Sequence, residues 1–296
     1  MTALSDAGRG HLAMLAFSAL IAGSFSLGDM VAFDITAPAL NAVRFCFASI
    51  IMGGLVLASG GLPGSALHAP WRYVLLGGLF SASLVLMFEA LKTATPVSTA
   101  AIFTLTPLMS AVFGWFLLRQ VTTPRMALAL SVGAAGAVWV VFRADLNALL
   151  SFDIGHGETI FFAGAALHAV FTPMLRWLNR GEPSLVFTFL FMVVGFVLLT
   201  VYSWGDLMTT DWLALRPVVW VTFVYLSVFA GSGSFFLLQF GAQVLPSAKV
   251  MAYTFLTPTW VIVWEVSLGH GVPTGLVLGG VALTVLALLL LLKDEG

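Results

Sequence analysis

IFTLTPLMSAVFGWFLL, residues 102–118, and YTFLTPTWVIVWEVSL, residues 253–268, each carry a Thr-Pro inside a long apolar run. An interior proline costs a soluble helix about 3 kcal/mol, because it removes a backbone donor and clashes one turn back. A membrane helix tolerates it better, since neighbouring helices and hydroxyls satisfy the freed carbonyls. The two stretches are also copies. Sliding the chain by 151 residues places Leu75, Ser81, Ser83, Leu86, Ala101, Leu105, Thr106 and Pro107 on Leu226, Ser232, Ser234, Leu237, Ala252, Leu256, Thr257 and Pro258. An apolar-biased chain yields some identities by chance, but a shared Ser-x-Ser followed by a shared Leu-Thr-Pro indicates one unit written twice.

Composition agrees with a membrane setting. The 296 residues are 60% hydrophobic and only 8% charged, with a mean hydropathy of +1.06; a soluble globule carries about 25% charge. At about 20 residues per crossing, the chain holds ten apolar runs: 11–31, 37–58, 72–92, 97–118, 126–143, 158–178, 184–204, 217–240, 247–268 and 275–292. The expected organisation is a first five-helix repeat over 1–143, a connecting segment over 144–157 with Asp145, Asp153 and His156, and a second repeat over 158–296. The fold class expected is an all-α integral membrane protein of ten transmembrane helices. The net charge of −1 gives no support for nucleic-acid binding, and the single Cys46 excludes an intramolecular disulfide or cysteine-based metal cluster. Asp6 and Arg9 precede the first run, which reads as an uncleaved span.

Basic residues set the expected orientation. With the N-terminus cytoplasmic, Arg9, Arg72, Arg119, Arg125, Arg176, Arg180 and Lys293 lie inside, and Lys92, Arg143 and Arg216 outside. Seven against three places both termini in the cytoplasm. Five spans per unit make the second copy enter with opposite polarity, the inverted-repeat layout of many secondary transporters. Seven of the nine tryptophans fall near span ends, where an interfacial belt explains them. Trp260 and Trp264 lie deeper.

Candidate solute contacts follow from helical spacing. Tyr253, Thr257, Trp260 and Trp264 share one face of the ninth span, which either lines a cavity for a planar or amphipathic solute or packs against a neighbour. Thr99, Phe103, Thr106 and Ser110 form a related face in the fourth span. Ser81 and Ser83 in the third span, with Ser232 and Ser234 in the eighth, serve either close helix packing or the cavity. His168 falls at mid-membrane with Phe171 and Thr172 beside it; a buried ionisable group there is either a bonded structural histidine or a solute or proton site. Ser18, Ala22, Phe25 and Asp29 share a face of the first span. Glu89 and Lys92 are spaced to pair with each other, while Asp29 and Glu265 sit near outer ends within reach of water. Arg44 and Lys249 are intramembrane cations, either of which could meet a carboxylate. Gly133, Gly136, Gly275 and Gly279 give the fifth and tenth spans a packing signature, between the halves or in a homodimer. Neither a phosphate-binding Gly-Lys loop, nor His-Glu-x-x-His, nor Gly-x-Ser-x-Gly occurs, so no enzyme activity and no cofactor is expected.

Ten spans, two five-span units and a Thr-Pro in the fourth span of each unit resemble the EamA-type branch of the drug/metabolite transporter superfamily, and the resemblance covers essentially the whole chain. Pro38 and Pro183 precede the second and seventh spans, as in that family. Where the family often has Gly-Glu after the fourth span of each unit, this chain reads Arg119-Gln120 and Gly269-His270, so that glutamate's role is not carried over. The resemblance implies an exporter of the bacterial inner membrane working by alternating access. Spans 1, 3, 4, 6, 8 and 9 would surround a cavity that spans 5 and 10 brace. Within the family the length and aromatic-rich bundle are most similar to the aromatic amino-acid exporters. The expected solutes are therefore amino acids, aromatic and other neutral ones, or related small metabolites. Expected contacts are His168, Trp260, Tyr253, Thr257, Ser81, Ser83, Ser232, Ser234, Phe103, Phe171 and Thr99. A drug or nucleotide-sugar carrier and a non-transporting scaffold are the alternatives; the few intramembrane cations disfavour a sugar nucleotide.

Overall fold

A computed structural model describes residues 6–151, 154–245 and 247–292, without the side chains of Gln239, Ala242, Gln243, Ser247, Ala248 and Lys249. Asp153, Lys293 and the Lys249 side chain thus lie outside the described residues. The protein is an all-α, multi-pass membrane protein. Its spans are α1 (Asp6–Met30), α2 (Ala37–Ala58), α3 (Trp71–Ala90), α4 (Pro96–Phe103 and Thr106–Leu118), α5 (Pro124–Val141), α6 (His156–Leu178), α7 (Ser184–Tyr202), α8 (Pro217–Val224, Tyr225–Gly233 and Ser234–Val244), α9 (Ser247–Ala252, Tyr253–Leu256 and Thr257–Ser267) and α10 (Gly275–Leu292). Among the described residues nine spans are long and apolar enough to cross a bilayer as single stretches; α9 is divided into shorter pieces. Helix is the form such a chain must take, since hydrocarbon offers a backbone amide no partner. The α1 start and the α10 end share one face of the bundle, here the terminal face.

Both Thr-Pro pairs break their helix. α4 stops at Phe103 and restarts at Thr106; α9 tightens into a 3-10 turn over Tyr253–Leu256 and restarts at Thr257. A proline cannot donate to the carbonyl four residues back. In α9 that carbonyl belongs to Thr254, and the Thr257 hydroxyl donates to it at 2.7 Å. The matching Thr106 hydroxyl is buried without a partner. α8 is distorted differently, with a widened π segment over Tyr225–Gly233. There a Cβ on Gly231 would lie 2.8 Å from the Leu226 carbonyl, too close without a shift, and one on Gly233 a tight 3.0 Å from that of Val228.

The helix pairing is unchanged when the halves are exchanged. α3 packs on α6 as α8 packs on α1, and α4 meets α6 as α9 meets α1; α2–α7 and α5–α10 are self-related pairs. Two arginine clamps obey the same exchange on opposite faces. At the start of α3, Arg72 donates to the Leu178 carbonyl at the end of α6 (2.7 Å) and to Glu182 in the next loop (2.6 Å). Just before α8, Arg216 donates to the Met30 carbonyl at the end of α1 (2.6 Å) and to Asp34 in the next loop. The α5–α10 brace closes through Gly136 and Gly280, where a Cβ on Gly280 would lie 2.9 Å from the Gly136 carbonyl. Gly275 and Gly279 face open space, one residue off the face that packs, and Gly133 receives the Phe255 ring. Glu89 and Lys92 pair with each other.

Candidate functional site

A cavity of about 180 Å³ lies between the halves, walled by α1, α3, α4, α6, α8 and α9, with Arg44 reaching it from α2. An apolar cavity of about 150 Å³ accommodates a benzene ring, so the space suits one aromatic ring with a small substituent. Exchange symmetry extends into its wall. Seven pairs of lining residues differ by the 151-residue offset: Phe17 with His168, Ile21 with Thr172, Ser24 with Leu175, Ser83 with Ser234, Leu84 with Phe235, Met87 with Leu238, and Phe103 with Thr254. The cavity therefore sits on the pseudo-two-fold axis.

Aromatic rings form much of the wall. Phe80 stacks on Phe171 at 4.9 Å between centroids and 22° between planes. The His168 ring lies 5.4 Å from Phe103, 5.9 Å from Phe80 and 6.0 Å from Phe171. Hydroxyls in the wall mostly donate to their own helix: Ser83 to the Phe80 carbonyl (2.8 Å), Ser234 to that of Ala230 (2.7 Å), Thr254 to that of Met251 (2.8 Å) and Thr172 to that of His168 (3.0 Å). They present lone pairs to the cavity. Its donors without a partner include the Thr106 hydroxyl and Nη1 of Arg44, both buried.

Of the residues expected at the site, His168, Phe103, Phe171, Ser83 and Ser234 line this cavity. The others are turned elsewhere. Trp260 donates from Nε1 to the Ser18 hydroxyl at 3.0 Å, closing α9 onto α1. Tyr253 shares a 2.8 Å hydrogen bond with His11. Thr257 and Thr99 are spent on carbonyls of their own helices, Thr99 on that of Thr95 at 2.8 Å. Ser232 donates to the Ser227 carbonyl five residues back, inside the π segment. Ser81 faces α7, where a Cβ on Gly195 would meet its hydroxyl at 2.7 Å. Phe80, Phe161 and Phe235 belong to the wall without having been expected there. The 151-residue offset was the usable signal for Phe235, through its mate Leu84; Phe80 and Phe161 carry none in a chain with 25 phenylalanines.

Comparison with known proteins bears directly on this arrangement. The model of the EamA-like transporter family matches residues 8–142 and again 156–293. The chain belongs to that family. It is also similar to an uncharacterized transporter, YyaM, of Bacillus subtilis (strain 168): 24% identical over 278 residues, covering 92% of this chain and 90% of that protein. A solved structure named only "Crystal structure of protein" superposes with a TM-score of 0.69 at 21% identity, covering 95% of this chain and 98% of that one, and supports the fold. This EamA-like chain is thus a membrane transporter.

A second cavity of about 780 Å³ opens on the face opposite the termini, with Asp29, Lys92, Ser98, Arg143, Glu265 and His270 among its lining. Glu265 and His270 are 2.8 Å apart. Between this vestibule and the central cavity stand three rings: Phe25 lies 5.9 Å from Phe103 and 6.0 Å from Phe161. One turn beyond Phe25 on α1 comes Asp29, already in the vestibule. In this EamA-like bundle the rings form an apolar cluster in the cavity wall on the vestibule side of the site.

Proposed function

We propose that the protein is a secondary carrier exporting aromatic and other neutral amino acids, or closely related small metabolites, across the bacterial inner membrane by alternating access, with both termini cytoplasmic. The observation that carries this reading is the central cavity: room for one ring, a wall of stacked phenylalanines with His168, and hydroxyl lone pairs at its margins. Rings supply stacking contacts worth about 0.5–1.5 kcal/mol beyond buried area, and hydroxyls and His168 accept from an ammonium. The aromatic amino-acid exporters of the family are the relatives this chemistry favours. Counterflow in liposomes holding only the purified protein tests it: vesicles preloaded with phenylalanine should accumulate labelled phenylalanine and leucine without an imposed gradient. Flux of lipophilic drugs with none for any amino acid would overturn the amino-acid reading in favour of a drug carrier.

A further inference from the structure

We infer that Arg44 is an anion anchor in the central cavity, so that the transported solute is recognised through a carboxylate and its amine is dispensable. This rests on the carrier reading above for what the site does, but not for what it binds.

Arg44 is the one residue of α2 in the cavity wall. It is 6% exposed, its Nη1 is buried without an acceptor, and no carboxylate among the described residues pairs with it. A guanidinium withdrawn from water and left unpaired is costly, and the cost is relieved when a second group supplies oxygen acceptors. Repeat architecture does not demand it either. Its mate at the 151-residue offset is Gly195, a glycine in the α3–α7 contact and not in the cavity. Seven pairs of wall residues respect the symmetry, and Arg44 is among the ten wall residues that do not. A charge that is buried, unpaired and set in a cavity wall points to a ligand.

The remaining wall selects the ligand's chemistry. Among the described residues no carboxylate lines the cavity, so an ammonium meets only lone pairs of hydroxyls, carbonyls and His168. Most hydroxyl donors there are directed at their own helices, and among the donors left free, Thr106 included, Arg44 is the one that carries a positive charge. A planar fork of N–H groups matches a carboxylate in two parallel hydrogen bonds. The phenylalanine wall takes the apolar remainder. The class that fits is a hydrophobic or aromatic monocarboxylate, with or without an α-amino group.

Equilibrium binding to the purified protein in detergent separates the possibilities. 3-Phenylpropionate, its uncharged amide 3-phenylpropionamide, and phenylalanine are titrated at pH 7. The acid should bind at least as tightly as phenylalanine and about ten- to a hundredfold more tightly than the amide, the range expected for hydrogen bonds to a charged group. Arg44→Gln should abolish the difference between acid and amide. Arg44→Lys, which keeps the charge and loses the fork, should retain part of it. Equal binding of acid and amide by the unaltered protein, or binding of neither, overturns the inference whether or not the variants fold. So does full discrimination by a folded Arg44→Gln protein. Arg44-dependent binding of the acid without flux in liposomes would leave the anchor standing and remove the carrier reading instead.

Discussion

Trp260 and Phe103 separate two meanings of an aromatic residue in a membrane bundle. Phe103 lies in the cavity wall 5.4 Å from His168, whereas the Trp260 indole is committed to Ser18. Phe103→Ala should therefore weaken phenylalanine transport more than alanine transport. Trp260→Phe should leave that ratio unchanged and lower thermal stability by about 1 kcal/mol, the worth of one neutral hydrogen bond. Measuring both solutes in the same vesicles checks it, and equal loss of both solutes in Phe103→Ala would remove Phe103 from the solute contact. Glu182 makes a different prediction. Burial pushes its carboxyl up, but hydrogen bonds from Arg72 and the Arg180 amide outweigh burial and hold it below the ordinary 4.5. A depressed carboxylate stabilises fully above its unfolded value and loses that contribution as pH falls through the folded one. Stability in detergent should thus fall below about pH 4.5 in the unaltered protein, and Glu182→Gln should flatten this limb. An unchanged acid limb in the variant would count against the pair.

At the scale of single elements, the irregularities are placed by covalent constraints that sequence displays. Pro107 and Pro258 break α4 and α9 where the Thr-Pro pairs stand. The π segment of α8 was marked only as a Gly-Ser-Gly-Ser run, which reads equally as close packing. Its wider turn favours glycine at 231, where a Cβ would strike the Leu226 carbonyl. Gly231→Ala should force the segment toward ordinary α pitch, rotate Ser234 and Phe235 off the cavity wall and abolish most transport. Gly54→Ala, on an open face of α2 with nothing near a new Cβ, should leave transport intact and stabilise by up to about 1 kcal/mol through helix propensity. Transport surviving in a folded Gly231→Ala would dissociate the π turn from the site. Rotation about the helix axis is also what spacing could not supply. Tyr253, Thr257 and Trp260 do share a face, but that face meets α1, because interhelical packing rather than period decides which stripe turns inward. Offset symmetry recovers part of the answer: Ser83 and Ser234 both line the cavity, while Ser81 and Ser232 both do not.

For the whole molecule, the exchange of halves has a mechanical consequence. The Arg72 and Arg216 clamps are counterparts on opposite faces, yet Arg72 is 1% exposed in its side chain and Arg216 59%. The two clamps are therefore packed to different depths although their parts correspond. The aromatic cluster is asymmetric too: Phe25, Phe103 and Phe161 meet on the vestibule side of the cavity, and their counterparts form no matching trio of rings, since residues 176, 254 and 10 are Arg, Thr and Gly. An inverted-repeat carrier exchanges such arrangements between faces as one bundle rocks on the other. The expectation is that a cysteine at Ser24, inside the cavity and one residue from Phe25, reacts slowly with an impermeant thiol reagent supplied from the vestibule face, in a Cys46→Ser background. Phe161→Ala removes one ring of the cluster and should raise that rate severalfold, with the rate from the terminal face little changed. Equal labelling from both faces before the substitution would mean that these rings close nothing, and the barrier would then have to lie elsewhere along the axis.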